Sequence, residues 1–252
     1  KTLQEIKKLQ RDDNVEYASP NFIRKAMLTP NDEFFNFQWH YPAMNLPQAW
    51  DITTGSPESG EVIVAVIDTG VVLNHPELDD KLVPGFDFIS DIRNALDGDG
   101  IDNNPDDPGD STILGQSSWH GTHVSGTIAA ESNNGIGVAG VSFGAKIMPL
   151  RVLGVRGGSS FDIIQALRFA AGLSNDSGIV PEQSADIINL SLGGPGSSQF
   201  EAALYQELFD LGIIIVAAAG NENTGSLSFP ASYPGVFSVA ALDAANERAS
   251  YS

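Results

Sequence analysis

EVIVAVI, the sequence of residues 61–67, is an almost uninterrupted run of β-branched and aliphatic residues after its first position. Such a run is typical of a strand that is buried on both faces of a parallel sheet, because neither face alternates with polar side chains. Four more runs of this character are predicted to be strands of the same sheet, at residues 146–153, 186–192, 213–219 and 236–242.

Helical stretches separate these strands, at about residues 120–131, 162–172 and 199–211. The second begins with Asp162 and is followed by Gly172. An acidic residue in the first turn and a glycine after the last turn are typical of helix ends. Alternating strands and helices predict an α/β fold: an open, mainly parallel, twisted sheet with helices on both faces. Ligands of such folds bind at the carboxyl ends of the strands.

Composition restricts the classes of function. The 252 residues include 13 basic and 32 acidic side chains, a net charge of -19, and no cysteine. This charge argues against nucleic acid or an anionic membrane as a partner, because both attract basic surfaces. Without disulfides, a secreted protein of this composition needs another stabilising device, and bound Ca²⁺ is the candidate.

The charge is distributed unevenly along the chain. Residues 1–28 carry a net charge of +2, and residues 29–252 carry -21. Leu3, Ile6 and Leu9 recur at helical spacing, and the alternation over residues 15–18 predicts a strand. We therefore expect a short helix–strand segment, 1–28, ahead of a main domain, 29–252.

Three polar motifs follow the predicted strands or open a helix. The first motif, Asp-Thr-Gly, begins with Asp68 at the end of the first predicted strand. The second, His-Gly-Thr-His, begins with His120 at the start of a helix of small residues. The third, Ala-Ala-Ala-Gly-Asn, ends with Asn221. Taken singly, these residues also suit a turn, a helix cap and a loop. Their common place at strand ends makes them candidates for chemistry.

Together and in this order, the three motifs resemble those of the subtilisin-like serine proteases, or subtilases. The resemblance runs from about Thr29 to Ser252, and its first residues resemble the thermitase-like branch. It implies that Asp68 orients and polarises the imidazole of His120, which acts as general base and then as general acid. It also implies that the Asn221 amide donates to the oxyanion of the tetrahedral intermediate, the role that the matching asparagine has in subtilases.

The nucleophile implied by the resemblance is absent. Subtilases carry their serine in a Gly-Thr-Ser-Met-Ala box, and no such box occurs in this sequence. We therefore expect a fragment of a secreted, monomeric serine endopeptidase that is cut at both ends, has its serine beyond Ser252, and is inactive alone. The alternative is a calcium-stabilised pseudoprotease or binding module without catalytic activity.

Substrate binding is also implied by the resemblance. A polypeptide substrate is expected to bind as an extended strand between two glycine-containing edges, over a first pocket with a floor of small residues. The alternative is that these glycines only form turns. The predicted substrate-binding residues are Ser191, Leu192, Gly193, Gly157, Gly158, Ser159, Ala219 and Gly220.

The first 28 residues resemble the end of the inhibitory propeptide that many subtilases carry. We expect the maturation cut between Met27 and Thr29. Residues 24–28 are expected to occupy the substrate cleft, so that the propeptide acts as an intramolecular inhibitor.

One candidate calcium site lies in an acidic stretch. Residues 87–110 contain eight aspartates and a single basic residue. Within it, the sequence Asp-Gly-Asp-Gly-Ile-Asp resembles the first half of a calcium loop, with oxygen ligands that favour Ca²⁺ over zinc. A solvated acidic loop is the alternative. The predicted ligands are Asp97, Asp99, Ile101 and Asp102.

A second candidate site follows from the resemblance, because residues 133–138 look like the subtilase calcium loop. Glu77 stands where the family more often has aspartate. The implied ligands are Asp32, Glu77, Ser132, Asn134, Ile136 and Val138.

Two other hydrolase classes fit less well. Aspartic proteases need two Asp-Thr-Gly motifs from β-rich lobes, and this α/β sequence has one. His120 and His123 are three residues apart, whereas a helical zinc pair is usually four apart with a glutamate between.

Overall fold

A computed structural model of the protein describes residues 2–22, 28–56, 60–113 and 115–252. The predicted α/β class is confirmed by a parallel sheet whose strand order is β2-β3-β1-β4-β5-β6. The strands are β1 (Ile63–Asp68), β2 (Phe86–Asp87), β3 (Lys146–Arg151), β4 (Ile187–Leu190), β5 (Ile214–Ala218) and β6 (Val236–Val239).

The three predicted helices are confirmed as α5, α6 and α7. Four shorter helices and a 3₁₀ turn, Phe35–Phe37, precede α5, and no helix in the described ranges is long and apolar enough to cross a membrane. The helices are α1 (Thr2–Leu9), α2 (His40–Ala43), α3 (Leu46–Trp50), α4 (Ile92–Ala95), α5 (His120–Ala129), α6 (Ser160–Ala170) and α7 (Gln199–Asp210).

Strand β1 is covered by helices on both faces. Ala65 and Ile67 pack into a large core with α6 and α7, whereas Val64 and Val66 pack against α5. All six residues of β1 are buried, which explains its apolar sequence. This burial fixes the carboxyl end of β1, and therefore Asp68, in the middle of the sheet.

An aromatic cluster joins the N-terminal part of the main domain to the loop after α5. Tyr41 and Trp50 are buried, and their polar atoms donate to the backbone carbonyls of Ala139, at 2.6 Å, and Val141, at 2.9 Å. Leu28 packs against this cluster. The chain at the predicted maturation cut is therefore anchored to the main domain.

The predicted strand at residues 15–18 is wrong. These residues are irregular, and Tyr17 is 81% exposed. No neighbouring strand in the described ranges offers them a hydrogen-bond ladder, and a short alternating run without such a partner is not stable. The helix at the start of the chain is confirmed, but α1 buries no residue. Of residues 24–28, predicted to occupy the cleft, 24–27 fall outside the described residues, and Leu28 packs against the aromatic cluster and does not line the groove.

The α5 side of the sheet is not fully covered at its β6 edge. Ile214, Phe237 and Val239 are 47%, 62% and 53% exposed. Phe237 pairs with Val216 and Val239 with Ala218, so these apolar residues share one face of β5 and β6.

Candidate active site

His120 and Asp68 form a hydrogen-bonded pair at the carboxyl end of β1. The imidazole Nδ1 lies 2.8 Å from Asp68 Oδ1 and 2.9 Å from Oδ2. The Asp68 side chain is fully buried, whereas that of His120 is 44% exposed. One nitrogen of the ring is therefore held by the carboxylate, which leaves Nε2 for a reacting group.

Close approach of α5 to the end of β1 creates this pair. A Cβ at Gly121 would lie 2.1 Å from the Gly70 carbonyl oxygen and 3.2 Å from Asp68 Cβ, so only glycine allows the approach. Thr69 fastens the junction, because its Oγ1 accepts from the Gly121 N–H at 3.0 Å and donates to Asp107 Oδ2 at 2.7 Å. The threonine thus caps an otherwise unpaired amide of the first turn of α5.

The pair favours the protonated imidazole. The hydrogen bond that His120 donates to Asp68 raises the pKa of His120 above its ordinary value of 6.5, burial acts in the opposite direction, and the charges of Asp68 and Asp110 raise it further. Asp68 also accepts a hydrogen bond from the Thr69 N–H at 2.8 Å, which fixes the orientation of its carboxylate. Such a His–Asp pair is suited to accept a proton and to stabilise the imidazolium that results.

His120 lies at one side of a groove with a volume of about 730 Å³. Five predicted substrate-binding residues line the groove together with His120, namely Gly157, Gly158, Ser191, Leu192 and Gly193. The structure therefore brings the two predicted edges into one site.

The two walls of the groove are irregular segments that follow β3 and β4. Residues 154–157 close a tight hairpin, in which Gly154 and Gly157 exchange backbone hydrogen bonds of 3.2 and 3.0 Å. On the other wall, Gly194 and Phe229 exchange two bonds, of 3.0 and 2.9 Å. Both walls thus have fixed backbones.

The other predicted substrate residues lie outside the lining of this groove. Ser159 caps α6, because its Oγ accepts from the Asp162 N–H at 3.1 Å, and it does not present a groove edge. The pattern Ser-x-x-Asp at 159–162 is the local signal of this cap. Ala219 and Gly220 follow β5, and the Ala219 N–H donates to the Val239 carbonyl.

Asn221 is exposed and follows β5 at the same carboxyl edge as Asp68. Its backbone N–H donates to Glu222 Oε2 at 2.9 Å, and its side chain is not among the groove-lining groups. The structure places Asn221 on the correct side of the sheet, but it does not bring Asn221 together with His120.

The predicted calcium loop wraps around two buried carboxylates. Asp32 is 4% exposed and accepts from the Asn133 N–H at 2.8 Å; Glu77 is 6% exposed and accepts from Asn134 Nδ2 at 3.0 Å. A Cβ at Gly137 would lie 2.4 Å from Glu77 Oε2, which shows how closely the loop passes the Glu77 carboxylate.

This environment fits a hard cation. In the part of the chain that the structure describes, neither Asp32 nor Glu77 has a lysine or arginine within ion-pair distance. Buried carboxylates without a cationic partner are costly. The backbone carbonyls of three predicted ligands accept no hydrogen bond from the described residues: Ser132, Ile136 and Val138. Carboxylate, amide and carbonyl oxygens are the ligand set of Ca²⁺.

The acidic stretch divides among several protein partners. Asp87 and Asp97 both bind the guanidinium of Arg151, which is 1% exposed and also donates to the Ala95 carbonyl oxygen. Asp102 joins Asp87 through backbone hydrogen bonds of 2.9 and 3.1 Å. Arg151 is therefore the internal cation of this region, a role that its place at the end of β3 did not reveal.

Asp99 and Asp102 remain as the acidic pair of the predicted loop. The negative charge of Asp102 is the main cause that raises the pKa of Asp99. Asp97 is directed to Arg151, so the structure does not gather the predicted aspartates into one cluster. Over the described ranges, no three histidine, aspartate or glutamate side chains form a group that could hold a metal ion.

The fold and the site define an α/β protein with a hydrogen-bonded Asp–His pair at the carboxyl end of its central parallel strand. Residues 59–252 match the family model described as the subtilase family. The chain belongs to the subtilase family.

Similar proteins include an extracellular protease of Xanthomonas campestris pv. campestris, which is 42% identical over 98% of this chain and 44% of its own length. Thermitase of Thermoactinomyces vulgaris is 34% identical over 89% of this chain and 69% of its own. A solved protease structure from Pseudoalteromonas arctica has a TM-score of 0.82 and 42% identity, over 89% of this chain and 69% of that one. The chain thus spans less than half of the length of the Xanthomonas protein.

Proposed function

We propose that this chain is the larger part of the catalytic domain of a secreted serine endopeptidase. The observation that carries the proposal is the bond between His120 Nδ1 and the buried Asp68 carboxylate, at the side of a groove wide enough for a peptide. Secretion is inferred from relatives that are named extracellular proteases.

In this reaction, Asp68 holds the imidazole with its proton on Nδ1. Nε2 of His120 then takes the proton of a serine hydroxyl as that oxygen attacks the peptide carbonyl, and it gives the proton to the leaving amine. The Asn221 side chain is proposed to donate to the oxyanion of the tetrahedral intermediate, after an approach that substrate and the serine segment complete.

The serine belongs to a Gly-Thr-Ser-Met-Ala box that this sequence does not contain. We therefore assign no activity to this polypeptide alone. The exposed apolar face formed by Ile214, Phe237 and Val239 supports this view, because a further segment is needed to bury it.

The substrate is proposed to be a polypeptide in extended conformation, bound as a strand between residues 157–158 and 191–193. Backbone groups at residues 158 and 191–193 supply the hydrogen bonds, as in other cases of strand addition. The small residues Ala219 and Gly220 suit a first pocket for an apolar side chain.

Calcium is proposed as a structural cofactor. The first site comprises the carboxylates of Asp32 and Glu77, the amide oxygen of Asn134, and the carbonyls of residues 132, 136 and 138. Bound Ca²⁺ there neutralises two buried charges and fixes the loop after α5. A second and separate proposal is a weaker site at Asp99, Asp102 and the Ile101 carbonyl, without Asp97, because that carboxylate binds Arg151.

Residues 1–28 are proposed to be the end of an inhibitory propeptide. Their net charge of +2 complements the acidic main domain. After cleavage between Met27 and Thr29, the mature enzyme is expected to act as a monomer.

The proposal is tested with two polypeptides, this chain and the same chain extended through the serine box of its gene. We expect hydrolysis of an apolar peptide ester by the extended chain only, and a loss of about 10⁴-fold or more in turnover for His120→Ala. His123→Ala, in the same helix, is the matched control and is expected to retain activity. A burst of ester cleavage by the present chain that His120→Ala abolishes would contradict the assignment of the nucleophile.

A further inference from the structure

The side chain of Asn94 binds residues 154–157, which form one wall of the groove. Asn94 Oδ1 accepts from the Arg156 N–H at 2.7 Å, and Asn94 Nδ2 donates to the Gly157 carbonyl oxygen at 2.8 Å. The backbone of Asn94 contributes a third bond, since its carbonyl accepts from the Val155 N–H at 3.1 Å. Three consecutive residues of the hairpin, 155–157, are therefore hydrogen-bonded to one residue.

The contact is close and specific. A Cβ at Gly154 would lie 2.1 Å from the Asn94 carbonyl oxygen, so the hairpin packs directly on the backbone of α4. Gly157 has a φ of +79°, a conformation that glycine adopts without strain. A hairpin built on glycines has little stiffness of its own, so its shape depends on the bonds from Asn94.

Asn94 is itself fixed by its surroundings. It is 9% exposed, and its N–H donates to the Asp91 carbonyl at 2.7 Å. The next residue, Ala95, is fully buried, and its carbonyl accepts from the guanidinium of Arg151. The guanidinium of Arg151, the buried cation of the acidic stretch, therefore holds helix α4 in place. Asn94, which lies in α4, in turn fixes the position of the groove wall.

We propose that Asn94 is a positioning residue, which holds the hairpin at residues 154–157 in the geometry that pairs with an extended peptide. Asn94 does not line the groove, so it acts through the hairpin and not on the substrate. The inference rests on the proposed function, because it takes this groove to be the peptide site. It assigns to the acidic stretch a second role, that of a support for substrate binding.

The test uses the present chain and the peptide acetyl-Ala-Val-Ala-Leu amide, with binding measured by calorimetry. Asn94→Ala removes both side-chain bonds and is expected to weaken binding about tenfold, since each such bond contributes modestly. Asn94→Asp retains the acceptor for Arg156 and loses the donor to Gly157, so we expect an intermediate affinity.

Asn175→Ala is the matched control. Asn175 also donates to two backbone carbonyls, of Leu173 at 3.0 Å and of Ile179 at 2.8 Å, but it lies outside the groove. Its variant is expected to lose thermal stability without a change in peptide affinity. A folded Asn94→Ala protein that binds the peptide as tightly as the wild type would overturn the proposal.

Amide hydrogen exchange separates this inference from the proposed function. Loss of the Asn94 side chain is expected to accelerate exchange of the Arg156 amide at least tenfold and to leave β3 protected. If the wild type binds no peptide, the proposed function fails. Unchanged exchange at Arg156 in Asn94→Ala would then overturn the positioning role by itself.

Discussion

Gly121 lies against the carbonyl of Gly70, so closely that a Cβ on Gly121 would be 2.1 Å from that oxygen. This contact sets the distance between the first turn of α5 and the end of β1, and it therefore sets the separation of His120 from Asp68. The glycine that follows the histidine is thus part of the geometry of the site, although it carries no functional group.

Gly121→Ala is expected to destabilise the chain by about 1–3 kcal/mol, the usual cost of forcing a methyl group into a packed site. Because Gly70 and Asp68 lie in the fixed carboxyl edge of the sheet, α5 must move, and the His120–Asp68 bond lengthens. Urea unfolding measures the stability, and the His120 titration reports the bond.

Gly126→Ala is the control for that substitution. Gly126 lies in the same helix, and a Cβ there would have no neighbour within 4 Å. Because alanine is the better helix former by about 1 kcal/mol, this variant is expected to be as stable as the wild type or more stable. Equal stability losses in the two variants would refute a specific contact at Gly121.

Asp68→Asn tests the electrostatics of the pair. The hydrogen bond and charge of Asp68 raise the pKa of His120, burial lowers it and the charge of Asp110 raises it, so the variant is expected to have a lower His120 pKa than the wild type. Histidine proton resonances measured against pH give both values. His123→Ala, which leaves Asp68 in place, is expected to keep the pKa of His120 raised.

The sign of the stability effect follows from the raised pKa. The pair contributes its full stability below pH 6.5, and this contribution is lost as the pH rises through the folded-state pKa of His120. Asp68→Asn is expected to remove that dependence. In an enzyme completed by the serine, activity rises over the same interval, because the base must be neutral. A wild-type His120 pKa below 6.5 would contradict the geometry.

The sheet was predictable because its signals are local, whereas the pairing of Asp68 with His120 was implied only by the resemblance of the three motifs to those of subtilases. Strand β1 is a continuous apolar run, and Asp68 follows it at the edge where parallel sheets bind ligands. The strand predicted for residues 15–18 failed for a related reason: alternation is a local signal, but a strand needs a partner, and the described residues provide none.

The supports of the site were not predictable, because their meaning arises only from contacts between distant segments. Arg151 ends an apolar strand, and nothing nearby in the sequence shows that Asp87 and Asp97 surround it. Asn94 lies in an acidic stretch without a motif of its own. The role of Ser159 was predictable, because the pattern Ser-x-x-Asp at 159–162 indicates a helix cap. The glycines before Ser159 instead led to its assignment as a substrate-binding residue.

Arg151→Met is expected to destabilise the chain by about 3–5 kcal/mol, because it leaves the buried carboxylate of Asp87 without its cation. Chemical unfolding measures the loss. Adding Asp87→Asn to this variant is expected to restore part of the stability, since the amide removes the unpaired charge.

Arg93→Met is the control for charge alone. Arg93 pairs with Asp91 at 3.0 Å, but its side chain is 75% exposed and the pair is screened by solvent, so we expect a much smaller loss than at Arg151. A loss at Arg151 no larger than that at Arg93 would show that the buried cation does not organise the acidic stretch.

Removal of calcium is expected to lower the melting temperature, because a ligand that binds only the folded state stabilises it by mass action, by about 2.7 kcal/mol at a hundredfold excess over Kd. Asp32→Asn and Glu77→Gln each remove one carboxylate charge from the proposed first site. They are expected to weaken calcium binding in calorimetry and to reduce the effect of a chelator on the melting curve.

Asp79→Asn removes an exposed charge two residues from Glu77 and is expected to leave both measurements unchanged. A melting curve that is the same with excess calcium and with excess chelator would rule out a structural calcium ion, and the buried pair of Asp32 and Glu77 would then be satisfied by the loop amides alone.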